Sequence, residues 1–217
     1  ASVVVREIDG HTARMYAYNG QYPGPLIWVE KGTEITVNFT NAIDHPTTVH
    51  WHGLRLDNAY DGIPGVTQDP VQPGETFTYR VRFPDAGIYW YHPHMREDLQ
   101  QDGGLYGNMM VRDETGEMFG PAHREEVLML DDLLMTEEGA VQWGRERATH
   151  GFMGRFGNRF LVNGAPGWDL EVDQGAVVRF FMTNVANTRT FNVSFVHAET
   201  GDVAPLKIVG SDIGTYQ

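Results

Sequence analysis

Short runs in which polar and apolar residues alternate occur along much of the chain. Residues 34–40 (EITVNFT) and 76–83 (TFTYRVRF) alternate over their whole length, which is typical of β-strands with one buried and one exposed face. Both runs are rich in β-branched and aromatic residues, which favour strands. Turn sequences such as YPGP at residues 22–25 separate the runs. This pattern predicts an all-β sandwich or barrel, with weak helical signals only at residues 97–101 and within 135–149.

One β unit is repeated along the chain. Residues 26–41 (LIWVEKGTEITVNFTN) and 169–184 (DLEVDQGAVVRFFMTN) match in kind, and each places an asparagine nine residues after a glycine. Two copies of one unit explain this better than one large domain, so we predict domains at residues 1–114 and 115–217. The second copy has only 33 residues after its asparagine. We therefore expect the second domain to be truncated or completed by another chain.

The charge and the composition exclude several classes of protein. The 217 residues include 16 Lys and Arg against 29 Asp and Glu, a net charge of −13, which disfavours nucleic acid and anionic membrane surfaces as partners. No run approaches the ~20 apolar residues that span a bilayer, so we expect a soluble protein. The chain contains no cysteine, which excludes disulfides, thiolate metal ligands and cysteine nucleophiles.

Two His-x-His pairs contain the strongest candidate functional residues. They are His50-Trp51-His52 and His92-Pro93-His94, which hold four of the nine histidines within 45 residues. Side chains at positions i and i+2 of a strand leave the same face, so each pair directs two imidazoles the same way. Four imidazoles without a thiolate or carboxylate favour copper or zinc. The other five histidines are scattered, and we expect them to be structural or exposed: His11, His45, His123, His150 and His197.

Both histidine motifs resemble those of a known family. Residues 50–53 (HWHG) and 87–94 (GIYWYHPH) are similar to the two N-terminal copper motifs of the multicopper oxidases, the laccase-like family. Residues 131–158 resemble the bacterial three-domain members most. The flanking segments that agree are Tyr18-Asn19-Gly20, Pro23-Gly24-Pro25, Asp61-Gly62, Gln68, Pro73-Gly74 and Gly103-Gly104-Leu105-Tyr106-Gly107.

The resemblance implies cupredoxin-like Greek-key β-sandwich domains, one complete and a second partial and copper-free. In the family, electrons from phenols, aromatic amines or metal ions reduce dioxygen to water at a trinuclear copper cluster. By this resemblance, His50 is a type 2 copper ligand, and His52, His92 and His94 are type 3 ligands. Asp61 is implied to orient a water ligand or to relay protons near the cluster, although Asp-Gly is also a common turn dipeptide. A periplasmic or secreted location in a bacterium is implied as well.

The sequence departs from the family pattern in its missing cysteine. It has no His-Cys-His segment, and the second copy of the β unit has Val193 where a His-x-His pair is expected to start. We therefore expect the type 1 copper and the other four cluster histidines to lie outside this chain. They would come from a C-terminal cupredoxin domain of the same protein or from a second chain. The chain alone is expected to be inactive as an oxidase.

Other functions stay open at this point. One is a non-catalytic copper-binding or scaffold protein of the same fold. Another is a cupin-type single-metal enzyme, which also uses His-x-His but needs a glutamate shortly after the pair. A third, a two-domain nitrite reductase, would need its own type 1 cysteine, and the chain has none. The four residues that follow the first pair include no glutamate: Gly53, Leu54, Arg55 and Leu56.

Overall fold

The computed structural model describes residues 1–113, 119–141, 143–211 and 214–216. Within them the chain is nearly all β, which confirms the predicted fold class, and no helix is long and apolar enough to cross a membrane. Residues 114–118, where the predicted domain boundary falls, lie outside the described residues. The division at residue 115 therefore stays a prediction.

The strands and helices follow one another in this order: β1 (Ser2–Ile8), β2 (His11–Ala17), β3 (Ile27–Glu30), β4 (Glu34–Thr40), β5 (His50–His52), a 3₁₀ helix (Asn58–Tyr60), β6 (Thr76–Arg82), β7 (Gly87–His92), α1 (Glu97–Gln100), β8 (Gly107–Arg112), β9 (Arg124–Leu133), β10 (Met135–Thr136), β11 (Gly139–Ala140), β12 (Trp143–Glu146), α2 (Arg147–Met153), β13 (Arg159–Val162), β14 (Val178–Asn184), β15 (Gly210–Ser211) and β16 (Gly214–Thr215).

Two sheets of the N-terminal part face each other across an aromatic core. One sheet has the strand order β3-β8-β7-β5, and the other is the antiparallel pair of β4 and β6. Trp51 of β5, Tyr79 of β6 and Tyr91 of β7 belong to one buried cluster, in which the rings of Trp51 and Tyr79 meet edge-on with centroids 5.6 Å apart. Burial of this apolar surface holds the two sheets together.

Successive side chains of β5 and β7 point to opposite faces of the sheet, so only every second one lies in this core. Because Trp51 is buried in the sandwich, its neighbours His50 and His52 lie on the opposite face of the sheet. Tyr91 is buried in the same way, and its neighbour His92 therefore also lies on the opposite face. The four-stranded sheet thus has one aromatic face in the core and one face that carries three of the candidate histidines.

A second apolar core joins strands from both parts of the chain. β9 pairs antiparallel with β13 and parallel with β14. Its Met129 and Leu133 pack in one buried cluster with Ile8, Met15 and Tyr106 from the N-terminal part. The segments on either side of residues 114–118 therefore share a continuous interior.

Buried polar groups lie beside this second core. The Tyr106 hydroxyl donates a hydrogen bond to Asp131 and lies 3.0 Å from the Tyr22 hydroxyl. Burial raises the pKa of Asp131 to about 7, against the opposing effect of the hydrogen bond from Tyr106. The neighbouring Asp132 accepts a hydrogen bond from Arg189 Nε at 2.6 Å. These carboxyl groups are tolerated in the interior because they have hydrogen-bond partners.

A buried ion pair connects the end of α1 to the C-terminal part. Asp102 follows α1, and its carboxylate contacts the guanidinium group of Arg155, whose side chain is only 3% exposed. Arg155 also donates to the Val141 carbonyl at 2.6 Å. One residue earlier, Gln101 donates to the Val185 carbonyl at 3.2 Å. The segment after α1 is therefore held by side chains and carbonyls from beyond residue 119.

An Arg155→Met substitution is expected to reduce the free energy of unfolding by about 3–5 kcal/mol, because it leaves the Asp102 carboxylate buried without its counter-ion. The matched control is Arg55→Met, which breaks the Arg55–Asp85 pair, where the arginine side chain is 72% exposed. Such exposed pairs contribute about 0–1 kcal/mol. Urea unfolding followed by circular dichroism measures both values. Equal, small losses in the two variants would show that the buried pair does not hold the two parts together.

Candidate metal centre

The pairing of β5 with β7 brings the two His-x-His motifs together. The antiparallel register places His50 opposite His92, and His52 opposite Trp90. β7 ends at His92, where Pro93 has no N–H group with which to continue the ladder. His94 follows directly beyond the strand, and its backbone N–H is 3.4 Å from the Thr48 hydroxyl oxygen.

All four imidazoles lie in one cluster. The ring centroid of His50 is 4.7 Å from that of His94, 5.4 Å from that of His92 and 5.5 Å from that of His52. The ring of His92 is 5.4 Å from the rings of both His52 and His94. Ligand atoms of His50, His52 and His92 lie within 4.8 Å of one another, a separation from which they could hold a metal ion.

Hydrogen bonds to carbonyl oxygens set the orientation of two rings. His50 Nδ1 lies 2.7 Å from the Asp61 carbonyl oxygen, and His92 Nδ1 lies 2.9 Å from the Pro93 carbonyl oxygen. A carbonyl oxygen only accepts, so Nδ1 carries the hydrogen and Nε2 keeps the lone pair in both neutral rings. His52 is turned the other way, with its Nδ1 3.2 Å from His92 Nε2. This geometry indicates Nε2 as the ligand atom of His50 and of His92.

Burial keeps two of these imidazoles in the form that binds metals. His92 is 4% exposed, and burial lowers its pKa to about 3, with a further lowering from the other three histidines. Burial also lowers the pKa of His50, against the raising effect of Asp61. Both rings are therefore neutral near pH 7, and a neutral imidazole is the form that ligates a metal ion.

Asp61 is both a turn residue and a neighbour of the histidine cluster, the two roles that its sequence context leaves open. It ends the 3₁₀ helix and precedes Gly62, so it is a turn residue. It also contacts the histidine cluster, because its carbonyl oxygen accepts from His50 and its Oδ1 lies 3.4 Å from the same Nδ1. Its side chain is 32% exposed. The structure thus places Asp61 behind His50, within reach of solvent.

Two residues of this region were not among the sequence-based candidates. The indole ring of Trp90 stacks on the His92 ring with centroids 4.0 Å apart, and its centroid is 5.0 Å from that of His52. Glu97 Oε1 contacts His94 Nδ1. A signal for both exists in the spacing, since Trp90 precedes His92 by two strand positions and Glu97 follows His94 by three residues.

The donor set fits copper. All four candidate ligands are imidazole nitrogens, which suit copper, zinc, iron and nickel, and there is no thiolate that would indicate another site. The nearby carboxylates of Asp61 and Glu97 face the Nδ1 atoms of His50 and His94. This arrangement is typical of carboxylates that orient histidine ligands of a metal.

The fold and the cluster define a β-sandwich protein with a candidate histidine metal centre. A family model described as "Multicopper oxidase" matches residues 2–116, and the chain belongs to the multicopper oxidase family. This confirms the resemblance found in the sequence, and the family implies copper as the metal.

Several proteins show the extent of the similarity. The chain is 44% identical over 106 residues to "Multicopper oxidase MCE" of Talaromyces pinophilus, which covers 48% of this chain and 17% of that protein. It is 42% identical over 128 residues to "Multicopper oxidase MmcO" of Mycobacterium tuberculosis, with 58% and 24% covered. The crystal structure of a multicopper oxidase from Pseudomonas thermotolerans is 36% identical and has a TM-score of 0.73, covering 90% of this chain and 47% of that one. The chain thus spans about a fifth of the length of these curated relatives.

A Trp90→Leu substitution is expected to weaken the binding of cupric ions by up to about tenfold. It removes the indole that stacks on His92, and aromatic stacking contributes about 0.5–1.5 kcal/mol. Trp28→Leu is the control, because Trp28 is 47% exposed and stacks instead with Arg112, 4.7 Å away. A competition titration with a chromophoric chelator measures both affinities. If the two variants bind equally, Trp90 does not support the His92 ring.

Proposed function

We propose that this chain is the N-terminal part of a laccase-like multicopper oxidase. In the whole protein, one-electron oxidation of a phenol, an aromatic amine or a metal ion would drive the four-electron reduction of dioxygen to water. The observation that carries the proposal is the convergence of four imidazoles from two His-x-His motifs on paired strands. Membership of the multicopper oxidase family supports it.

Each candidate residue has a proposed role. His50 is the type 2 ligand, and His52, His92 and His94 are type 3 ligands. These four imidazoles would hold copper, which would supply the one-electron redox chemistry that couples donor oxidation to dioxygen reduction. Asp61 holds His50 through its carbonyl oxygen, while its partly exposed carboxylate is available to orient water or to carry a proton.

The rest of the active site is proposed to come from outside residues 1–217. The sequence contains no cysteine for a type 1 copper, and the chain spans only 17–24% of the curated relatives described above. Several large apolar side chains of the C-terminal part are exposed, such as Leu206 at 58% and Ile208 at 73%. A further cupredoxin domain, in the same protein or in a second chain, would cover such surface and supply the remaining ligands.

The same proposal includes a periplasmic or secreted location. It also includes dioxygen and a small reductant as the partners of the protein.

The alternative is a copper-binding or scaffold protein of the same fold that does not reduce oxygen. The candidate centre favours the oxidase, because all four histidines of the N-terminal motifs are present and close together. The cupin-type alternative lacks support, since the ligand group found among the described residues contains histidine alone.

The test is a comparison of the 217-residue chain with the complete gene product. The chain alone is expected to bind copper without the blue absorption of a thiolate-bound copper and without consuming dioxygen. The complete product is expected to consume dioxygen with a phenolic or metal-ion donor. His92→Ala should abolish this consumption and reduce the copper content, whereas His45→Ala, at a half-exposed histidine outside the cluster, should change neither.

Two outcomes would contradict the proposal. One is a complete gene product that binds copper at the cluster and consumes no dioxygen with any of these donors, which would favour the scaffold alternative. The other is unchanged copper content and dioxygen consumption after removal of the His92 imidazole.

A further inference from the structure

His94 differs from His50 and His92 in the group that holds its ring. The Nδ1 atoms of His50 and His92 face neutral backbone carbonyl oxygens, whereas the Nδ1 atom of His94 contacts the Glu97 carboxylate. We propose that Glu97 is a positioning residue of the candidate metal centre, which holds His94 so that Nε2 is its ligand atom. This inference rests on the proposed function, because it assigns a role around the same four imidazoles.

The contact determines the tautomer of His94. An ionised carboxylate only accepts hydrogen bonds, so the Nδ1 atom that faces Glu97 carries the hydrogen of the neutral ring. The lone pair is then on Nε2, on the other side of the imidazole. The His94 ring is 4.7 Å from the His50 ring and 5.4 Å from the His92 ring. Glu97 thereby makes Nε2 the ligand atom of His94, as the carbonyl oxygens do for the other two rings.

A carboxylate partner also affects how strongly the ring donates to a metal. A hydrogen bond to an ionised group is roughly twice as strong as one to a neutral group, and such a partner raises the basicity of a histidine ligand. The side chains of His94 and Glu97 are 36% and 46% exposed, so solvent screens part of this effect. We therefore expect removal of the Glu97 carboxylate to weaken copper binding by about tenfold, the lower end of the range for residues that orient metal ligands.

Contacts on both sides of Glu97 hold it in place. Glu97 begins α1, and Arg96 before it has left-handed backbone angles and a two-point hydrogen bond to Asp98, with both N–O distances 2.9 Å. At the other end of α1, the fully buried Gln100 donates to the Pro46 carbonyl at 2.8 Å. The buried ion pair of Asp102 with Arg155 follows directly. Side chains from the C-terminal part therefore help to position Glu97, and through it His94.

The test uses the metal-free full chain labelled with ¹⁵N-histidine, so that long-range ¹H–¹⁵N correlation spectra report the tautomer of each ring. Comparison with His94→Gln assigns the His94 signals. The wild type is expected to show His94 protonated at Nδ1. Glu97→Ala should produce a mixture of tautomers, and Glu97→Gln should retain the wild-type tautomer because its amide oxygen still accepts. Glu34→Ala is the matched control, since Glu34 is an exposed glutamate at the start of β4, outside the histidine cluster.

A titration of the same variants with cupric ions completes the experiment. Glu97→Ala is expected to bind cupric ions about tenfold more weakly than Glu34→Ala, with Glu97→Gln between them. A wild-type His94 protonated at Nε2, or a Glu97→Ala variant with the wild-type tautomer and affinity, would overturn the role of Glu97 while leaving the proposed function intact. Failure of the wild type to bind copper would instead overturn the proposed function, and the tautomer of His94 would still decide whether Glu97 positions the ring.

Discussion

The register between β5 and β7 is the constraint on which the candidate metal centre depends. It places His50 opposite His92, and the alternation of a strand then puts Trp51 and Tyr91 on the other face. A slip of one residue would exchange the faces, so that imidazoles entered the core and the indole left it. Because Trp51 and Tyr91 pack in the aromatic core, the hydrophobic effect that closes the sandwich also fixes the positions of the histidines.

The position of Asp61 is also constrained, because the backbone at Gly62 packs closely against the backbone at Val49. Gly62 has a φ of +77°, and a Cβ atom at this position would lie 2.0 Å from the Val49 carbonyl oxygen. Only glycine therefore lets the loop with Asp61 pack directly against the start of β5. On the other side of the cluster, Trp90 packs against the second apolar core, and Glu97 belongs to the segment that is tied to Arg155. The ring orientations thus depend on contacts that extend well beyond the two motifs.

Strand periodicity alone predicts much of this arrangement. The alternation in residues 34–40 and 76–83 corresponds to β4 and β6, and the His-x-His spacing explains why His50 and His52 share a face. The approach of the two motifs could not be derived locally, because it depends on pairing between strands about 40 residues apart. The ring orientations depend on individual carbonyl and carboxylate oxygens, such as those of Pro93 and Glu97.

The weak helical signal within 135–149 is mostly wrong: the short strands β10, β11 and β12 form there, and α2 begins only at Arg147. Met135 is buried in the second core, where tertiary packing outweighs intrinsic helix propensity.

The candidate metal centre is tested most directly by a crystal structure of the full chain grown with copper, with anomalous diffraction data collected at the copper edge. Anomalous copper peaks are expected at bonding distance from Nε2 of His50, His92 and His94 and from the His52 imidazole. Copper bound only elsewhere, for example at His11, His45 or His123, or an ordered histidine cluster with no copper peak, would contradict this expectation.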